Sequence, residues 1–525
     1  NRIPGGQFMR SLHHYTTDFS IFLLFVWLLK VAVVTWRRAP RRAYLWSGLA
    51  AGVFILALTR TGEVLPWDQN AYHGAKIVSN LAGSAPLAGD FLQALAIGGS
   101  EPGHLTLTRM SALHCFALPL LFFMIGALAW AKVGKGRTES RFRDFVRRNL
   151  PTAGVTVVVI GLALGIISAF NSAPLGSPAN PGAPFPAARP SWRFLSLFEL
   201  LRHVPVAVGT YVLPTLALVG LAALPRLAVT PAKRRVGTLF VGGLLLGSGA
   251  LALTSIRRDR SDESFQVEMT EEEQKTVRIN ELIALSGIPP TGAADLANHD
   301  PFLRGPQLFA ERCSGCHRHA DVPDSLNDKP PSAPELTRFA DRTWASAIFD
   351  QEKFKSPAFF GNTKFKAGKM AKKVLPKLAK ASPGDLHDLA LALSAEAALP
   401  YQRTVDDGDA GAIEHGQSLL INDFGCIDCY AFHDEIDPED ATAPDLTGYG
   451  SAEWIVAFIA HPDSDRFYGK KNEDMPSFRK EGTLSQKEIT LLTAWLRREW
   501  PGAEGVPPDS AFLATINQAT SIPTP

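Results

Sequence analysis

Two short segments carry the clearest chemistry in this chain of 525 residues: "CSGCHRHAD", which begins at Cys313, and "CIDCYAFHD", which begins at Cys426. In the first, Cys313 and Cys316 are spaced C-x-x-C and His317 follows directly. Two thiols at that spacing can form thioethers with the vinyl groups of a haem, and the next residue's imidazole is then placed beneath the iron. The second segment keeps the spacing at Cys426 and Cys429, but Tyr430 stands where the histidine would be. These pairs account for four of the five cysteines, which favours haem or metal over a disulfide framework.

Each segment opens a longer repeat. "APELTRFADRTW" follows Cys316 and "APDLTGYGSAEW" follows Cys429, with eleven positions from alanine to tryptophan in both. An aromatic-Gly segment comes next ("FFGNTKF", "FYGKKNEDM"), then a methionine, Met370 or Met475, and a closing helix. Two tandem units of this pattern resemble the class I cytochrome c family. The resemblance implies that Met370 completes the iron coordination opposite His317, and that Met475 does so in the second unit. His/Met ligation raises the potential and suits electron transfer. The lysines of "KFKAGKMAKKVLPKLAK" form a solvated basic face, or steer an acidic redox partner. At the second unit three readings stay open. The haem is ligated by the Tyr430 phenolate or a neighbour such as His433, the iron has an open position, or the repeat is structural and holds no haem.

These units need positioning elements, and the first half of the chain is built to supply an anchor. Apolar runs near 15–36, 44–60, 112–131, 152–170, 205–224 and 236–255 approach the roughly 20 residues of helix that cross a bilayer. The loops "RRAPRR", "KVGKGRTESRFRDFVRR" and "RLAVTPAKRR" alternate along six spans, so the positive-inside rule puts them in the cytoplasm. Everything beyond 256 is then exported, although Arg257, Arg258 and Arg260 run against the trend at that boundary. A formal charge of +2 gives no reason to expect nucleic acid as a partner.

His13 and His114 open the first and third spans from the same side, so two imidazoles at similar depth can hold a haem iron from opposite faces. "PGGQFMRSLHHY", "GEVLPWDQNAYHGAKIVSNLAG", "LTLTRMSALHCFALP" and "APLGSPANPGAPFPAARPSWRFLSLFELLRHVP" resemble the cytochrome b family of quinol-oxidising bc-type complexes. The likeness runs in the family's order over most of residues 4–255. Family members have a further span before the "PGG" segment, and this sequence begins after that point. They also carry a second histidine 14 positions after each of the first pair, holding an inner haem about 21 Å deeper at 1.5 Å per residue. Trp27 and Leu128 stand there instead. The resemblance therefore implies one haem b, on the outer side.

The quinol pocket departs as well. The family's Pro-Glu-Trp-Tyr is Pro190, Ser191, Trp192 and Arg193 here, and Glu63 replaces the tyrosine before "VLPW". Ser191 cannot act as the general base that the family's glutamate provides, which leaves Glu63 as a substitute. Cys115, beside His114, reads as a small buried residue.

The expected architecture is all-α: a cytochrome b-type transmembrane bundle (1–255), a linker with a short helix (256–300), a cytochrome c domain (301–398), a second c-like domain (399–505) and a tail (506–525). The expected protein is a membrane-bound b/c fusion in a bacterial inner membrane, with its haem c domains on the periplasmic side. It would pass electrons from quinol or a partner subunit to an exported acceptor, beside a separate iron–sulfur protein and without a complete Q cycle of its own. The rival is a non-catalytic conduit or assembly subunit paired with an intact cytochrome b.

Overall fold

A computed structural model describes residues 3–506 apart from 38–41, 100, 134–136, 228–229, 324–329, 434, 437–439 and 470–474, with side chains also left out at 35–45, 128–149 and 225–229. Regular structure is helical, and the described residues hold isolated bridges but no β-strand. The chain forms two compact units, residues 1–277 and 278–525.

The first unit contains α1 (Gly6–Arg37), α2 (Arg42–Gly62), α3 (Gln69–Gly83), α4 (Gly89–Ile97) and α5 (His104–Ala112). A π turn at Leu113–Ala117 joins α5 to α6 (Leu118–Val133), and α7 (Arg137–Phe170) and α8 (Leu195–Leu201) follow. A second π turn at Val208–Val212 leads into α9 (Leu213–Leu227), and α10 (Pro231–Ser261) closes the set. All six apolar runs are thus helical. Gly6–Val34, His104–Ala127, Leu150–Phe170 and Pro231–Ser261 are long and apolar enough to cross a membrane, and Val208–Leu224 is a shorter apolar helix. Their outer faces expose Phe22, Leu120, Phe123, Val155, Val159 and Leu246, as expected of helices whose solvent is hydrocarbon. The three basic loops fall partly on residues outside the described set.

Helix α1 packs along α10, α7 and α2, and α2 also meets α9. At one end of this bundle Val31, Ala32, Leu224 and Val241 form a buried cluster, with Trp27, Leu28, Leu221 and Phe240 against it. The stretch expected to be a linker with one short helix is largely helical. Helix α10 continues to Ser261, and α11 (Glu263–Ser286) and α12 (Ala293–His299) follow.

The second unit continues with α13 (Pro301–Arg312), α14 (Arg342–Phe349), α15 (Gln351–Phe354), α16 (Leu375–Leu378) and α17 (Pro383–Ala395). Helices α18 (Arg403–Gly408), α19 (Ala410–Ser418), α20 (Ala452–Ala460) and α21 (Gln486–Leu496) complete it. The repeat is visible at its helix starts. Asp341 caps α14 by accepting from the Trp344 amide, and Ser451 caps α20 by accepting from the Trp454 amide. That shared cap fixes the spacing of "DRTW" and "SAEW".

The packing does not follow the expected division at 398/399. Helix α13 of the first repeat packs on α21 of the second, and α19 of the second packs on α17 of the first. One core joins Leu308 and Phe309 to Trp454, Ile459, Phe467, Ile489 and Trp495. The other joins Phe354, Leu375 and Leu389 to Leu419, Leu420, Cys426 and Phe432. Sequence similarity marks the repeats but cannot report that their halves are exchanged.

Candidate haem sites

In the membrane unit, His13 from α1 and His114 from the π turn face each other with ring centroids 5.9 Å apart and planes at 87°. That separation is on the scale of two metal–imidazole bonds of about 2 Å plus the ring radii. The His114 Nδ1 lies 3.0 Å from the Leu58 carbonyl and 3.2 Å from the Thr61 hydroxyl, both on α2. Donation to Leu58 holds the proton on Nδ1 and leaves Nε2 as the ligating nitrogen. The π turn aims His114 across the bundle, a common use of such turns. Gly62 completes the cradle, because a Cβ there would stand 2.8 Å from the His114 ring. Leu58, Thr61 and Gly62 are found by the fold alone, since α2 carries no histidine to draw attention to it. These residues fit a haem held between two histidines.

One helical interval deeper the fit fails. The Trp27 ring packs directly on Gly48 of α2, so closely that a Cβ on Gly48 would run into the indole. Gly48 precedes Gly62 by 14 positions, the same interval that separates His13 from Trp27. At this deeper level the tryptophan ring fills the space against the glycine. The side chain of Leu128 lies outside the described residues.

Glu63 is already committed. Ser191 donates to its Oε1, Arg193 stands 3.5 Å from the same atom, and the Arg60 guanidinium lies 3.2 Å from Oε2. Arg193 also pairs with Asp18 of α1, whose Oδ1 accepts from the Trp192 indole at 2.9 Å and whose Oδ2 is 3.4 Å from His14. Arg193 has only 6% of its side chain exposed, so it staples α1 to the end of α2. Pro190 is half-buried at the head of this segment. A carboxylate whose lone pairs meet a hydroxyl and two guanidiniums is poorly placed to accept a proton from a substrate hydroxyl. Cys115, expected to be buried, is exposed on the bundle surface because the π turn that brings His114 inward carries its neighbour outward.

In the second unit the His317 Nδ1 donates to the Pro334 carbonyl at 2.6 Å, which leaves Nε2 for an iron. Burial lowers the His317 pKa, offset in part by that carbonyl, so the ring stays neutral as a ligand must. Burial pushes the Cys313 thiol up to about 12, with Cys316 adding to it, while Cys316 itself is exposed. A thiol held protonated in this way is a poor member of a dithiol redox pair. The chemistry of the set suits thioether attachment.

The second motif keeps the same backbone frame. The Cys316 carbonyl accepts from Ser332 and Ala333, and the Cys429 carbonyl accepts from Thr442 and Ala443. The Arg318 carbonyl accepts from Leu336, and the Ala431 carbonyl accepts from Leu446. Burial, with Tyr468, Cys426 and Cys429 close by, pushes the Tyr430 phenol well above the ordinary tyrosine range. His433 turns away. It is exposed, with its Nε2 3.0 Å from Glu396, so it is not positioned as a ligand. The methionines lie on the opposite sides from those expected. Met475 packs with the core that contains Cys313, and Met370 packs with the core that contains Cys426.

Residues 19–178 match the family described as cytochrome b(N-terminal)/b6/petB. They form a cytochrome b-type N-terminal domain. The matched range includes Glu63 and His114 and begins after His13. A cytochrome b6 from Prochlorococcus marinus is 35% identical over 125 residues, which is 23% of this chain and 57% of that relative. A cytochrome b6 from Synechococcus sp. (strain RCC307) is 34% identical over 119 residues, 23% of this chain and 55% of its own length. The chain thus spans little more than half the length of the relatives it matches.

Proposed function

We propose that the protein is a membrane-bound b/c electron-transfer subunit of a bc-type complex, with one haem b between His13 and His114 and haem c in the exported repeats. The facing imidazoles cradled by Leu58, Thr61 and Gly62 are the observation that carries the haem b reading. His317 on the Pro334 carbonyl supports haem c at Cys313 and Cys316. Covalent attachment of haem would belong outside the cytoplasm, and the positive-inside rule assigns the basic loops to the cytoplasm, so we read the repeats as periplasmic domains of a bacterial inner-membrane protein.

Quinol oxidation releases two electrons and two protons, and a Q cycle sends one electron across the bilayer. Trp27 against Gly48 removes the inner station for that electron, and Glu63 is held by Arg60, Arg193 and Ser191. These features favour a partner subunit as the electron donor, with a separate iron–sulfur protein and an exported acceptor completing the assembly. They also favour the second reading, a conduit or assembly subunit beside an intact cytochrome b. The test is haem c reduction in the purified chain on addition of quinol. The conduit reading expects none until the partner subunits are restored. Rapid quinol-dependent reduction by the chain alone would return quinol oxidation to this subunit.

A further inference from the structure

The two connections that lead into α14 and α20 cross at equivalent positions of the repeats. Ala340 immediately precedes the Asp341 cap, and Gly450 immediately precedes the Ser451 cap. A Cβ on Gly450 would collide with the Cβ of Ala340, so the second repeat needs glycine where the first has alanine. Backbone handedness matches as well: φ is 57° at Arg338 and 62° at Ala340, against 65° at Gly448 and 78° at Gly450. Before this crossing each C-x-x-C loop is bonded to its own "AP-LT" segment. After it, the helices belong to the other repeat's core.

Both exchanged helix pairs are close-packed. Gly305 of α13 sits under Trp495 of α21, with no room for a Cβ, and the Phe309 and Trp495 rings lie 5.4 Å apart. Gly416 of α19 sits against the Asp388 carbonyl and Ala392 of α17, again with no room for a Cβ. Arg304 reaches Glu488 at 4.0 Å across the first pair, and His415 meets Asp388 at 2.8 Å across the second. Since the methionines travel with the closing helices, the ligand sets are exchanged too.

We propose that each haem c site is assembled from halves of both repeats: Cys313, Cys316 and His317 close on Met475, and Cys426, Cys429 and Tyr430 close on Met370. The ligand part of this inference rests on the haem c reading above, whereas the exchange of helices does not. One consequence is that neither repeat alone contains a complete His/Met site. Another is that the lysine-rich segment around Met370 borders the Tyr430 site rather than the His317 site.

The test uses the full-length holoprotein in detergent and the near-volume-conserving variants Met475→Leu and Met370→Leu. The readout is the ferric charge-transfer band of methionine-sulfur ligation at the His317 haem. Its loss in Met475→Leu and retention in Met370→Leu is the expected result. Loss in Met370→Leu with retention in Met475→Leu would overturn the assignment. Carbodiimide coupling of the Arg304→Lys variant, followed by peptide mapping, tests the exchange without reference to haem. Arg304 of α13 lies 4.0 Å from Glu488 of α21, so the exchanged fold expects a cross-link between position 304 and Glu488. A Lys487–Glu414 cross-link, joining α21 to α19 of its own repeat, would overturn the exchange.

Discussion

Trp27 and Gly48 are packed ring against backbone, at the level where the family resemblance would put a second, deeper haem. The same helix pair holds His13 and Gly62 one interval nearer the chain's first turn, so the two levels of the bundle share a frame and differ in what fills it. If the indole is the filling, its size and the missing Cβ depend on each other. Gly48→Ala is expected to lower the thermal midpoint in detergent, and to cost much less in a Trp27→Ala background. The coupling should be roughly 0.5–3 kcal/mol, the range for residues in direct contact. Strict additivity would mean that the ring does not occupy this space.

Haem b should depend on the outer pair alone. His114→Ala or His13→Ala is expected to remove the haem b absorption while leaving the haem c absorption in place. Trp27→Ala should leave both. Loss of haem b in the Trp27 variant, measured by pyridine haemochrome, would place ligation at the wrong level.

Glu63 is a structural partner in this account. Glu63→Gln leaves the Arg60 and Arg193 guanidiniums without their carboxylate, an expected loss of about 1–3 kcal/mol. The midpoint should therefore fall, while the rate at which a restored donor reduces haem c stays within about two-fold, well short of the 10²-fold or more typical of losing a general base. A large fall in that rate with an unchanged midpoint would mark Glu63 as catalytic.

His415 joins the exchanged helices α19 and α17 through Asp388, and that hydrogen bond raises its pKa above the ordinary histidine value. A raised folded-state pKa stabilises fully below the unfolded value of about 6.5 and is lost as pH rises through the folded value. The His415 ring resonances should titrate above an ordinary histidine, and Asp388→Asn should return them to it. Titration at or below the ordinary value in the unmodified protein would contradict the contact.

The sequence made some of this legible and not the rest, for physical reasons. Apolar length located the six helices of the bundle, because hydrocarbon solvent demands it regardless of tertiary detail. Motif spacing singled out His317 and the cysteines as candidates, and the shared caps at Asp341 and Ser451 explain why the repeat was visible. The Leu58 carbonyl and Gly62 were not legible, because a backbone acceptor and a missing side chain have no chemical signature until a helix brings them to His114. The partners of Glu63 were hidden for a related reason: Arg60 is its neighbour in sequence, but Arg193 and Ser191 arrive from a loop more than a hundred residues away. The exchange at Ala340 and Gly450 was hidden most completely. Either closing helix presents an apolar face to either opening helix, so periodicity is the same for both arrangements.

The most direct measurement is an alkaline pyridine haemochrome spectrum of the purified chain, which counts haem b and haem c together. The expected result is one haem b and two haem c per chain. Two haem b would contradict the filling of the deeper level by Trp27, and no haem b would contradict the His13–His114 site. A single haem c would remove the cofactor from the Cys426–Cys429 site.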